Sequence, residues 1–141
     1  ASIFFEKESI LNHPTGKVTG FYSRYHGTGL LSAEACNMVY YEQPYTMNAL
    51  YPFRKVAMVD YVVSASQGKV FLHMINKSFD KEIPVSIDVS EIGPVHTICH
   101  HMFVNSDDDL GVFIDSVMTI NSAEFQILLP KQSVNIVECM Y

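Results

Sequence analysis

Between Lys69 and Lys77 no polar stripe interrupts the apolar positions. Val70, Leu72 and Met74 point one way along a strand, and Phe71, His73 and Ile75 the other. That pattern predicts a strand covered on both faces. Val85, Ile87 and Val89 instead alternate with Ser86, Asp88 and Ser90, predicting one buried and one wet face. Further strands are expected over Leu30–Cys36, Val56–Ser64, Val95–Val104, Val112–Ile120, Glu124–Leu129 and Ser133–Met140. Turn chemistry separates them: Ser66-Gln67-Gly68, Asn76 to Lys81, Ile92-Gly93-Pro94, Asn105 to Gly111, Asn121-Ser122 and Pro130-Lys131. Strands about ten residues apart, with no helix alternating between them, predict an all-β chain: an antiparallel β-sandwich of about eight strands.

The first part of the chain keeps a different period. Val18, Phe21, Tyr22 and Tyr25 recur at three- and four-residue spacing behind Pro14, which suits a first helical turn. Gly27 and Gly29 supply a stop, and Ser9 to Pro14 reads as a loop leading in. Gly16 and Gly20 cost this helix about 1 kcal/mol each relative to Ala, so tertiary contacts must hold it. The expected organisation is an N-terminal loop and short helix over 1–28, then a sandwich over 29–141.

Composition narrows the partners. The chain has 141 residues, 48% hydrophobic and 17% charged, with nine Lys+Arg against fifteen Asp+Glu. One core-forming domain fits that length. A net charge of −6 without a basic cluster argues against nucleic acid and anionic membranes as partners. No apolar run approaches the ~18 residues of a spanning helix. Cys36, Cys99 and Cys139 are too few and too scattered for a disulfide scaffold, and their neighbours predict small buried thiols, with one disulfide left open. Asn76-Lys77-Ser78 matches a glycosylation sequon, a tripeptide too common to decide anything alone.

Three groups of residues are candidates for chemistry. His96, His100 and His101 would share a metal only if His96 and His100 lay one helical turn apart. Their neighbours Val95, Ile98, Phe103 and Val104 predict a strand, on which His96 and His100 stand about 13 Å apart and His101 faces the other side. No metal site is expected, the three histidines being weak candidates only, and no cofactor is expected. Asp107-Asp108-Asp109 fails the calcium-loop spacing, since Leu110 stands at the sixth position counted from Asn105, and reads as a solvated hairpin tip. Glu34, Glu42, Asp60 and Glu124 have no spacing that demands a catalytic pair, and no Gly-x-Ser-x-Gly elbow exists. Tyr40, Tyr41, Tyr45 and Tyr51, interleaved with Glu42, Gln43 and Pro44, are the carbohydrate-contact candidates. Amphipathic rings stack on sugars while polar neighbours bond to hydroxyls.

Three segments together carry a resemblance. Asn12-His13-Pro14-Thr15-Gly16-Lys17 through Phe21-Tyr22-Ser23-Arg24-Tyr25-His26-Gly27 resembles the last barrel helix of retaining (β/α)8-barrel glycoside hydrolases of the α-L-arabinofuranosidase type, where a C-terminal β-sandwich follows. Lys69 to Lys77 is similar to a strand of that sandwich ending in Asn-Arg/Lys. Leu128-Leu129-Pro130-Lys131-Gln132-Ser133-Val134 is similar to its closing strand pair. Order and spacing agree over most of residues 12–140. The barrel and its two catalytic glutamates have no counterpart here, so no catalytic residue is carried over. About 250 residues would be needed for such a barrel.

The resemblance implies a non-catalytic accessory domain that buttresses or extends a carbohydrate-active catalytic domain, with that barrel or another protein surface as partner. An autonomous carbohydrate-binding module using the Tyr40–Tyr51 region, with polysaccharide as partner, is the alternative. A small metal-dependent enzyme using His96, His100 and His101 is a second. The chain opens on Ala1-Ser2-Ile3-Phe4-Phe5 without an initiator Met, which directs attention to a reading frame continuing upstream.

Overall fold

A computed structural model describes residues 3–6, 9–42 and 55–141. In chain order the elements are β1 (Ile3–Glu6), β2 (Ser9–Asn12), α1 (Pro14–Arg24), β3 (Gly29–Leu31), β4 (Tyr40–Glu42), β5 (Lys55–Ala57) and β6 (Val59–Ser66). They continue with β7 (Lys69–Asn76), β8 (Ile83–Asp88), β9 (Val95–Val104), β10 (Val112–Ser122), β11 (Glu124–Leu129) and β12 (Ser133–Met140). All strand pairs are antiparallel, as the turn-punctuated alternation predicts. β9, β11 and β12 have the expected limits. The expected strand over Leu30–Cys36 is cut to β3, and Val56–Ser64 is divided at Met58, whose N–H reaches the Val39 carbonyl at 2.8 Å. Residues 9–12, expected as a loop, are a strand paired with β1.

Six strands in the order β10-β9-β12-β7-β6-β3 form the main sheet, and β8 and β11 form a second layer of two. Opposite residues in an antiparallel pair share a face. Val70 and Met74 of β7, Val137 and Cys139 of β12 and Ile98 of β9 therefore meet Ile87 and Val89, with Ile127 and Leu129, in one buried cluster. Two strands cannot cover six. Ile114 and Met118, on the same face of β10, remain 46% and 41% exposed.

The opposite face carries α1. Phe21, buried, packs on Phe71, Phe103 and Ile136, with Val18 and Tyr25 beside it. Burying one such ring stabilises by about 1.5–3 kcal/mol, enough to offset roughly 2 kcal/mol for the two helical glycines. Packing, not propensity, holds this helix. Gly27, just beyond the end of α1, is required for a steric reason. A Cβ at Gly27 would fall inside van der Waals contact of the Ala65 backbone on β6, and the Gly27 N–H donates to Ser64 Oγ at 2.9 Å.

Cys139 is buried and Cys99 half-buried, but Cys36 is exposed on the irregular stretch after β3, against the expectation of three buried thiols. All three are free thiols. Asn76 is 1% exposed. Its amide donates to the carbonyls of Lys81 (3.0 Å), Leu129 (3.2 Å) and Pro130 (2.9 Å), while Oδ1 accepts from the Ser78 N–H at 3.0 Å. The sequon asparagine is thus a scaffold residue, closed to a glycosylating enzyme in the folded chain.

Candidate functional site

Tyr40 and Tyr41 stand on β4, which pairs with β5. Tyr40 pairs with Ala57 and is 57% exposed; Tyr41 pairs with Val56 and is half-buried. Lys77 Nζ lies 5.8 Å from the centre of the Tyr41 ring and 2.9 Å from Asp60 Oδ1. Tyr45 and Tyr51 lie outside the described residues. Asp60 also bears on Tyr22 of α1. Burial, then the negative charge of Asp60, pushes the Tyr22 phenol above its ordinary value.

The histidines stand on β9 as the strand pattern predicts, and they do not converge. His96 is exposed. His100 faces the second layer and donates from Nε2 to Asn135 Oδ1 at 2.9 Å. Burial drives its imidazole below the ordinary value, against the pull of that hydrogen bond, and the neighbouring His101 adds to the lowering. His101 is on the α1 side. Among the described residues no three His, Cys, Asp or Glu side chains come together as a metal requires. His100 and His101, weak metal candidates in the sequence, thus lie on opposite faces of the sheet.

The polar cluster that does form lies under the C-terminal turn of α1. His101 Nδ1 is 2.8 Å from Asp115 Oδ1 on β10, and Nε2 is 3.1 Å from Glu138 Oε2 on β12. Only a ring with two N–H groups can donate to both carboxylates. Lys69 Nζ donates to Glu138 Oε1 at 2.6 Å. Burial opposes the charge on Glu138, but the bonds from Lys69 and His101 outweigh it and hold the carboxyl below its usual range. Tyr25 stacks on His101 with centroids 3.9 Å apart, and Tyr22 stacks on His73 at 5.1 Å. His73 Nε2 donates to the Tyr25 carbonyl at 2.7 Å, so two imidazoles seat the end of the helix.

Paired carboxylates can cleave a glycosidic bond when sugar and water fit between them. Between Asp115 and Glu138 the imidazole already fills that space. Glu124 and Asp60, whose spacing demanded no catalytic pair, belong to different layers.

No protein-family model matches the chain, and no curated protein matches it by sequence. Solved structures do. The thermostable GH51 α-L-arabinofuranosidase of Thermotoga petrophila RKU-1 superposes with a TM-score of 0.79 at 16% identity, over 98% of this chain and 31% of that one. The α-L-arabinofuranosidase of Thermotoga maritima gives 0.77 at 18% identity, over 100% and 32%. The fold is that of an arabinofuranosidase segment. The family 30 subfamily 8 xylanase Xyn30A of Clostridium acetobutylicum gives 0.59 at 18% identity, over 92% and 28%. The chain spans about a third of the length of the two arabinofuranosidases.

Within this arabinofuranosidase-like fold, sequence reasoning missed Glu138, Asp115 and Asn76. Glu138 had left a signal: it is the one charged residue inside the apolar run Val134 to Met140. A carboxylate at such a position demands buried partners. Its partners Lys69 and His101 lie 69 and 37 positions away, which no local pattern reveals. The helix residues beneath which the cluster forms were visible from their spacing, but their stacking on imidazoles was not.

Proposed function

We propose that this chain is a non-catalytic accessory domain of a glycoside hydrolase-like protein, buttressing or extending a carbohydrate-active catalytic domain. The supporting observation is the match of nearly the whole chain to about a third of two arabinofuranosidases. A second feature agrees with a buttressing role. On its second-layer face β10 is exposed, with Val112, Ile114 and Met118 between 41% and 46% exposed. A long apolar edge is an invitation to pairing, and an accessory domain seated on a larger one would cover it. The pure chain is expected to leave aryl-α-L-arabinofuranosides intact, and measurable turnover that scales with chain concentration and survives repurification overturns the proposal.

An autonomous carbohydrate-binding module is the second reading. It is favoured by the exposed Tyr40 ring and by Tyr41 beside the Lys77 ammonium. Affinity electrophoresis on arabinoxylan, xylan and glucan separates the two. Retardation that Tyr40→Ala and Tyr41→Ala abolish supports the module.

A further inference from the structure

We propose that the groove between α1 and β10 binds a single neutral sugar ring, at a site separate from the Tyr40–Tyr41 surface. The groove has a volume of about 250 Å³ and is lined by Gly16, Lys17, Gly20, Phe21, Arg24, Tyr25, Phe113 and Asp115. Its side chains form three complementary groups. Phe113 is 49% exposed, yet its ring is fixed by Phe21 and Phe103 at centroid distances of 5.4 and 4.9 Å. Arg24 has no hydrogen bond or ion pair among the described residues. Asp115 gives one carboxylate oxygen to His101 and keeps Oδ2 without a partner there. Phe113, Arg24 and Asp115 thus line one concavity, the last two with polar atoms that have no partner among the described residues.

That combination selects among ligands. A simple anion is attracted by Arg24 but repelled by Asp115, and Lys17, the other cation of the lining, already donates to the Leu110 carbonyl at 2.9 Å. An apolar group would strip water from both charges without replacing it. A sugar ring presents an apolar C–H face to Phe113, hydroxyl oxygens that accept from Arg24, and hydroxyl protons that Asp115 can take as hydrogen bonds. The volume is enough for one ring.

Gly20 adds an independent observation. A Cβ at this position would meet nothing within 4 Å, and its φ lies outside the left-handed region. Neither packing nor backbone conformation requires glycine, although glycine weakens the helix. What its missing side chain does is leave the groove open.

The proposal rests on the accessory-domain reading only for the sugars chosen as probes. Amide chemical shifts of the full chain are followed by two-dimensional NMR during titration with L-arabinose, D-xylose and their short oligosaccharides. A monosaccharide of about ten heavy atoms should bind with a Kd on the order of 10 mM. Shifts are expected at Gly16, Gly20, Arg24, Tyr25 and Phe113. Arg24→Ala should weaken binding about fivefold or more, the loss of a charged hydrogen bond. Gly20→Leu, which has open space to enter, should abolish it while the spectrum of the sheet stays intact. Saturating concentrations without shifts at these positions overturn the proposal. So do shifts confined to the Tyr40–Tyr41 hairpin, or binding unchanged in both variants. Hydrolysis of an aryl-arabinoside by the chain would defeat the accessory reading and leave this titration valid.

Discussion

Asn76→Ala removes the residue that joins three crossing segments. The Asn76 amide reaches the carbonyls of Lys81, Leu129 and Pro130, and its oxygen receives the Ser78 N–H. Leu129 closes β11 of the second layer, Pro130 begins the turn into β12, and Lys81 leads into β8. One side chain therefore ties both layers to the loop between them. Two amide protons serve three acceptors, so about three net hydrogen bonds are lost at roughly 1 kcal/mol each. At 1% exposure, water does not readily replace them, and the stranded Ser78 N–H adds about 1–2 kcal/mol. The sum is about 4 kcal/mol, a large part of the 5–15 kcal/mol typical of a domain. With a urea slope of about 2 kcal/mol/M, the midpoint should fall by about 2 M. Asn76→Asp keeps the acceptor for Ser78 but turns an anionic oxygen toward three carbonyls, so it should cost at least as much at pH 7. Equilibrium urea unfolding, followed by tyrosine fluorescence, measures both. An Asn76→Ala variant within 1 kcal/mol of the parent refutes the reasoning, because it would mean that water or a backbone shift serves those carbonyls equally well.

The two glycines flanking the end of α1 should behave oppositely. Gly27→Ala must push α1 off the Ala65 backbone and should cost several kcal/mol, about the scale of a core overpacking. Gly20→Ala should stabilise by about 0.5–1 kcal/mol; thermal unfolding of the pair checks the contrast, and equal effects contradict it. The thiols should differ in reactivity. Burial, then the charge of Glu138, pushes the Cys139 thiol up to about 12, burial raises Cys99, and Cys36 is exposed. Iodoacetamide at pH 8 should therefore modify Cys36 first and Cys139 only after unfolding, as peptide mass mapping would reveal; early labelling of Cys139 would contradict the buried placement. Acid should destabilise the chain in two stages. His100 is held below its ordinary 6.5 in the fold, so the unfolded chain binds its proton first: that stability is full above about 6.5 and is lost as pH falls from there. Glu138 is held below 4.5, so its contribution is full above that value and is lost at lower pH, through its folded-state value. In urea titrations between pH 8 and 5.5, His100→Gln should flatten the first stage, and an unchanged slope would exclude His100 as its source.

The readable parts of the fold were those whose partners enforce a local pattern. β9, β11 and β12 are long and bury alternate or continuous apolar positions, so their limits follow from period and turn residues. β3 ends early although Ser32 to Cys36 continues plausibly as a strand; β6 pairs with only Gly29, Leu30 and Leu31. The break at Met58 arises because its backbone serves Val39 and Lys77, contacts that lie outside any window of local sequence. Asn76 was legible as a motif and misleading as one, since the same three residues that compose a sequon also compose a buried turn.

The candidate chemistry was less legible, for a reason visible in the sheet's two faces. Toward the second layer, β7 and β12 present Val70, Met74, Val137 and Cys139, and burial there is severe enough to leave an apolar record in the sequence. Toward α1, a single 11-residue helix does the covering. It buries Phe71 and Ile136 at the centre and His73, His101 and Glu138 near its C-terminal end, where hydrogen bonds to the Tyr25 carbonyl, to Lys69 and between His101 and Glu138 offset the burial. The residues that meet there come from 1–28 and from four strands. Lys69 of β7, for instance, reaches Glu138 of β12 across 69 positions. Polar residues held by such long-range bonds obey neither the period of a strand nor that of a helix. They become a site only when the helix lies down on the sheet, so the stacking of Tyr25 on His101 and the groove beside Arg24 are products of tertiary placement that sequence periodicity could not contain.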